Sequence, residues 1–153
     1  MPDIKKHLDD LADGRWDDYK AAFANDVIYE ELATRTRVQG ADEYVNAVKR
    51  WKKAFPDLKA TLLNVFQTGD RAIAEIEWEG THSGPFDSPF GTIQPTNKKG
   101  RVRAILVLTM KGDKITESHH YFDLLTVLAQ TGAMPGLAAM AQPAAKAAPP
   151  PKH

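Results

Sequence analysis

Four groups able to move or hold a proton stand two residues apart near the end of the chain: Glu117, His119, Tyr121 and Asp123. Alternate residues of an extended strand share a face. This spacing would therefore set two carboxylates, an imidazole and a phenol in one row. Such a row can abstract a proton next to a carbonyl and return it, provided an apolar setting raises the pKa of the base. The stretch KITESHHYFDLLTVLAQTG, residues 114–132, changes period at Asp123 from alternation to an apolar helical run. Asp123 thus has two available roles, general base or N-cap of the helix that follows. Capping lowers a carboxyl pKa, the opposite of what a base acting near neutral pH needs.

A further candidate comes from phasing another strand. In residues 72–82, Ala74, Ile76, Trp78, Gly80 and His82 share one face, while Glu75, Glu77, Glu79 and Thr81 share the other. The acidic face must be wet, which places His82 on the inner face at the end of its strand. There it could donate a hydrogen bond to a developing enolate oxygen, or rest as a rim histidine held by loop carbonyls. The last strand is less decisive. Ile115, Glu117, His119, Tyr121 and Asp123 form one set, and Thr116, Ser118, His120 and Phe122 the other, neither purely apolar. His120, opposite in parity to His119, is expected to point outward.

The elements that must position these groups read as follows. Residues 3–12 and 15–24 are two short helices, parted at Asp13-Gly14, and residues 27–35 are a first strand. On that strand Val27, Tyr29 and Glu31 share one face. Residues 41–55 form a strongly periodic helix, with Tyr44, Val45, Val48, Trp51 and Phe55 as its buried stripe and Pro56 as its stop. Residues 58–68 and 71–82 form one hairpin and 101–111 and 114–122 a second, with Gly69-Asp70 and Gly112-Asp113 at the turns. A Gly/Pro-rich segment joins the hairpins. Helices first and strands after indicate an α+β fold, with helices covering one face of a curved antiparallel sheet. A cavity between the two layers is the natural place for a small ligand. The domain is expected to span residues 1–136. Residues 137–153 are Ala/Pro-rich and predict a disordered tail, from about Gln142 onward.

Composition narrows the chemistry. Twenty basic and twenty acidic residues cancel, so no global field draws nucleic acid or an anionic membrane, and neither partner is expected. The chain has no cysteine, which removes disulfides, thiolate zinc sites and a cysteine nucleophile. His119 and His120 are adjacent and cannot readily chelate one ion from a strand, and no HExxH spacing exists, so no metal is expected. Phosphate-binding glycine loops and a GxSxG elbow are also missing from the sequence. The charged N-terminus, without an apolar signal core, predicts a cytoplasmic protein.

Several segments together resemble the SnoaL-like polyketide cyclases of the nuclear-transport-factor-2-like superfamily. They are AFPDLK at 54–59, GDR at 69–71, GTHSGPF at 80–86, PTNKKGRV at 95–102 and the closing KITESHHYFDLLTVLAQTG. The resemblance covers roughly residues 10–135. It implies a cone-shaped fold, with the N-terminal helices on the concave face of the sheet. It also implies an acid/base reaction on an apolar carbonyl substrate, an aldol-type cyclisation or isomerisation, with no cofactor. Asp123 matches the family's aspartate. With it, His82 and His119 are the expected catalytic partners, and Tyr121, Trp16, Tyr29 and Trp78 the expected substrate contacts. A homodimer through the outer sheet face is expected. The alternative is a non-catalytic ligand-binding or dimerisation module on the same fold. Epoxide hydrolysis ranks below both, since phasing yields no inner arginine.

Overall fold

The chain enters its first helix, α1 (Ile4–Ala12), through a side-chain cap, in which the Asp3 carboxylate accepts from the Lys6 amide. The computed structural model describes residues 2–88 and 91–132. The expected tail at 137–153, and the domain boundary at 136, lie outside these residues. Helix α1 buries Ile4, Leu8 and Leu11, spaced by three or four, as one stripe. Helix α2 (Trp16–Ala21) is shorter than the sequence pattern predicts, because strand β1 (Phe23–Glu31) already begins at Phe23. Phe23 and Val27 are both drawn into the core.

A 3-10 turn at Leu32–Thr34 and a left-handed Arg35 (φ 57°) reverse the chain into β2 (Thr36–Gln39). Helix α3 (Ala41–Ala54) follows, with Asp42 and Glu43 in its first turn and Lys52 and Lys53 in its last, each favourable to the helix dipole. Then come β3 (Lys59–Thr68), β4 (Arg71–Thr81), a small hairpin of β5 (Phe86–Ser88) and β6 (Gly91–Ile93), β7 (Lys99–Lys111), β8 (Lys114–Phe122) and α4 (Leu124–Thr131). The hairpin turns fall where glycine permits positive φ, at Gly69 (56°) and Gly112 (62°).

Six strands form one curved sheet in the order β2-β1-β8-β7-β4-β3. Every neighbouring pair is antiparallel except β1 and β8, which run parallel. This departs from the all-antiparallel expectation. Parallel neighbours need a long crossover, and the whole chain from α3 to β7 supplies it. Helices α1 to α3 share one buried cluster with the sheet's inner face, among them Leu8, Tyr19, Tyr44, Val48, Tyr29, Ala74, Ile76 and Leu106. A second cluster, Ala54, Phe55, Phe86 and Val127, closes the other end.

One irregularity decides which side of β8 faces in. Pairing with β7 shifts between Thr109↔Glu117 and Met110↔Ile115, so Thr116 is an extra, bulged residue. Ile115 is buried on one side of the bulge, and Ser118 and His120 are buried on the other. A one-residue bulge exchanges the faces of everything beyond it. The inner set is therefore Ser118, His120 and Phe122, and not the row that includes His119, Tyr121 and Asp123.

Candidate functional site

The site begins at the end of β1. Val27, Tyr29 and Glu31 are all buried on the inner face, and Glu31 is fully shielded from solvent. A buried carboxylate survives only if its oxygens are well supplied with donors. The 3-10 turn folds Thr34 back so that its hydroxyl donates to Glu31 Oε1. From the last turns of α3, Arg50 Nη2 donates to the same oxygen at 2.7 Å, and Trp51 Nε1 donates to Oε2 at 2.9 Å. The Tyr29 hydroxyl also donates to Oε2. Burial pushes the Glu31 carboxyl up, but its interactions with His120, Arg50 and Thr34 outweigh this and hold it at about 2. Glu31 is a carboxylate across the ordinary pH range.

His120 joins this cluster from the facing strand. Its Nδ1 lies 3.2 Å from the Tyr29 hydroxyl oxygen and 3.6 Å from Glu31 Oε2. On its other side, the Trp78 indole donates to Nε2 at 3.2 Å. An indole N–H is a donor only, so Nε2 accepts and the ring proton is assigned to Nδ1. The result is a directional chain: Trp78 N–H to His120, His120 N–H to Tyr29, Tyr29 O–H to Glu31. Burial first, and then the Glu31 charge, raise the Tyr29 phenol well above its ordinary value, so it remains a donor.

This chain ends in a cavity of about 70 Å³. The walls are Tyr19, Tyr29, Tyr44, Trp51, Phe55, Leu58, Trp78, Leu106, Phe122 and Val127, with the His120 imidazole among them. Tyr44 stacks on Tyr29 (4.1 Å between ring centres) and donates to Ser118 Oγ at 2.9 Å. The cavity reaches the surface beside Gly80 and Gly100, which face each other across β4 and β7. There Arg101 and Glu79 form an exposed ion pair at 3.1 Å. Among the described residues no cluster of three His, Asp or Glu groups is arranged to hold a metal ion, and no helix is long and apolar enough to cross a membrane.

The sequence matches the SnoaL-like polyketide cyclase family over residues 3–131. The chain belongs to this family. Solved structures with a similar fold include a candidate SnoaL-like polyketide cyclase from Jannaschia sp. CCS1, with a TM-score of 0.75, 20% identity and coverage of 85% of this chain and 89% of that one. A protein from Catenulispora acidiphila with a ketosteroid isomerase-like fold, solved in complex with trimethylamine, has a TM-score of 0.73 at 20% identity and covers 86% and 94%. The candidate polyketide cyclase IdmH from Streptomyces antibioticus has a TM-score of 0.72 at 22% identity and covers 84% and 95%. At these identities the likeness is one of fold. Curated proteins give no significant match.

In this SnoaL-like chain several of the residues expected from sequence stand away from the cavity. Asp123 is exposed and caps α4, accepting from the Thr126 amide at 3.3 Å and the Thr126 hydroxyl at 2.7 Å. His119 lies on the outer face with Nε2 2.8 Å from Glu117, and Tyr121 is 41% exposed beside it. The Thr116 bulge is the physical reason for all three. His82 is buried as phased, but past the end of β4, where it stacks on Phe55 and bonds Thr96 at 3.1 Å. Burial lowers its pKa, and its Nε2 finds no partner among the described residues. Trp16 packs against the main core under Lys49 and does not line the cavity. Tyr29 and Trp78 do line it. His120, expected outside, is inside. No motif marks Glu31 or Arg50, although Glu31 on the face of Val27 and Tyr29 is a visible signal: a carboxylate on an apolar face demands partners.

Proposed function

We propose that the protein is a cofactor-independent acid/base enzyme that moves a proton next to the carbonyl of an apolar substrate, with His120 as the base. The observation that carries this reading is the ordered chain Trp78–His120–Tyr29–Glu31 at the wall of an apolar cavity. A substrate carbonyl oxygen would take over the Trp78 indole N–H and so release the Nε2 lone pair of His120. That lone pair removes the neighbouring carbon-bound proton. Tyr29 and the Glu31 carboxylate hold the ring by its Nδ1–H, and the negative charge 3.6 Å away stabilises the imidazolium that forms. The indole N–H meanwhile faces the enolate oxygen where charge develops. Ring closure by an aldol step, or isomerisation, would follow from the same enolate.

The test is exchange of α-protons for deuterium in simple ketones, followed by NMR. A positioned general base contributes roughly 10²–10⁴-fold. His120→Gln should remove an acceleration of that size while the folded spectrum persists. An exchange rate equal to that of the parent protein would remove His120 from this role. Binding of ketones without any exchange would instead favour a ligand-binding module, a reading supported by the dense aromatic lining.

We also propose that a second copy covers the outer sheet face. Phe66 and Ile73 pair across β3 and β4, and Ile105 and Tyr121 across β7 and β8, all exposed. Exposed apolar patches of this kind mark association surfaces. Sedimentation should show a dimer that Ile105→Lys weakens; a wild-type monomer at high micromolar concentration would rule it out.

A further inference from the structure

A space of about 150 Å³ lined by aliphatic and aromatic groups is what accepts one benzene ring. The cavity beside His120 holds about 70 Å³, roughly half of that. Its walls are not easily displaced. Tyr29 and Tyr44 are fully buried and stacked on each other, and Trp51 and Trp78 are tethered by hydrogen bonds to Glu31 and His120. The cavity is also deep. Leu106, which pairs with His120, lies six residues along β7 from Gly100 at the mouth, about 20 Å of extended strand.

We infer that the substrate is an acyclic carbonyl compound that presents its carbonyl end to His120, with the rest lying as a thin chain along the cavity toward the Gly80–Gly100 pair. A fused-ring ketone does not reach the base. The chemistry at the carbonyl end rests on the acid/base reading above; the size limit does not. The mouth supports the same shape. A Cβ at Gly80 would stand 3.1 Å from the Phe55 Cβ, and one at Gly100 would stand 3.3 Å from the Thr131 Cγ2. The opening is thus already closed in on by neighbours where both strands lack side chains.

The test compares four ketones on the full chain by ligand-observed NMR and calorimetry: 2-butanone, 2-octanone, 1-tetralone and anthrone. If hydrophobic area alone governed binding, anthrone and tetralone would compete well with octanone. 2-Octanone is expected to bind at least tenfold more tightly than either ring ketone, with 2-butanone binding weakly. Val48→Ala, which widens the wall, should narrow the gap for tetralone. Equal or tighter binding of tetralone or anthrone would overturn the inference, and so would binding of none of the four. Octanone bound but not exchanged would defeat the acid/base reading and leave the size limit standing.

Discussion

His119 and His120 are neighbours in sequence, and β8 sends them to opposite faces of one sheet. On the outer face, His119 pairs with Glu117 at 2.8 Å where both are partly exposed. An exposed pair of this kind is screened by water and contributes about 0–1 kcal/mol. On the inner face, His120 meets Trp78, Tyr29 and Glu31, of which Tyr29 and Glu31 are shut off from solvent. The side-chain chemistry is the same on both faces: one imidazole, one carboxylate, one tyrosine. What differs is solvent. The low dielectric on the inner side fixes the tautomer, fixes the ring and makes the nearby charge felt. The sharpest way to break this comparison is to exchange the two histidines' fates. His120→Gln is expected to lower α-proton exchange by roughly 10²–10⁴-fold, whereas His119→Gln should leave it within a factor of two or so. NMR exchange rates for the two variants side by side decide it. A loss in His119→Gln equal to that in His120→Gln would erase the distinction between the faces.

The two glutamates give the next largest effect. Glu117 is partly exposed; Glu31 is fully buried and receives bonds from Arg50, Trp51, Tyr29 and Thr34. Removing one partner of a buried ion pair leaves an uncompensated charge and costs about 3–5 kcal/mol, so Glu31→Gln should lower stability on that scale. Glu117→Gln should stay within about 0.5 kcal/mol, as surface changes do. The pH dependence follows from the depressed Glu31 pKa. The unfolded carboxyl binds its proton near 4.5 and the folded one near 2. Between those values the unfolded state holds more protons, so stability falls as pH falls. The contribution is fully present above about pH 4.5 and gone below about pH 2. Urea unfolding at a series of pH values should show this acid loss in the parent protein and in Glu117→Gln, and a smaller one in Glu31→Gln. Parallel curves for all three proteins would show that Glu31 is not the group that titrates.

Most of the architecture was legible in the sequence, because it rests on repeated patterns. The stripe Tyr44, Val45, Val48 on α3 and the alternation Ala74, Ile76, Trp78 on β4 recur often enough to phase themselves. Glycines at 69 and 112 locate the turns by a backbone conformation that other residues resist. The site was less legible because it depends on a single inserted residue. Ile115 and Ser118 both face in, three residues apart, and no strict period of two accommodates that. Alternation alone chooses neither row of β8; the family resemblance, through Asp123, sets His119, Tyr121 and Asp123 on the inner row, with His120 outside. The parallel pairing of β1 with β8 was hidden for a related reason. It brings Tyr29 and Glu31 to His120 from about ninety residues away, and neither segment carries a mark of the other. The aromatic lining is half legible: the sequence reading places Tyr29 and Trp78 on the cavity wall and leaves Tyr44 and Trp51 in the core stripe of α3.

Asp123 supplies the smallest effect and the clearest separation of the two roles it was given. Its side chain accepts from the amide and hydroxyl of Thr126 at the start of α4, and it is exposed. Loss of an N-cap costs typically about 1 kcal/mol, so Asp123→Ala should lower stability by that amount. Asp123→Ser, which restores a capping oxygen, should recover most of it. Neither change should alter exchange measured at a temperature where the protein remains folded, since the carboxylate lines no part of the cavity. A base would behave in the opposite way. Serine could not replace it, and alanine and serine would lose activity alike with little regard to stability. Melting curves and exchange rates on the two variants therefore separate a cap from a catalyst. If serine restores the melting temperature but not the exchange rate, the carboxylate acts on the substrate, and the division between the faces of β8 does not extend to its last residue.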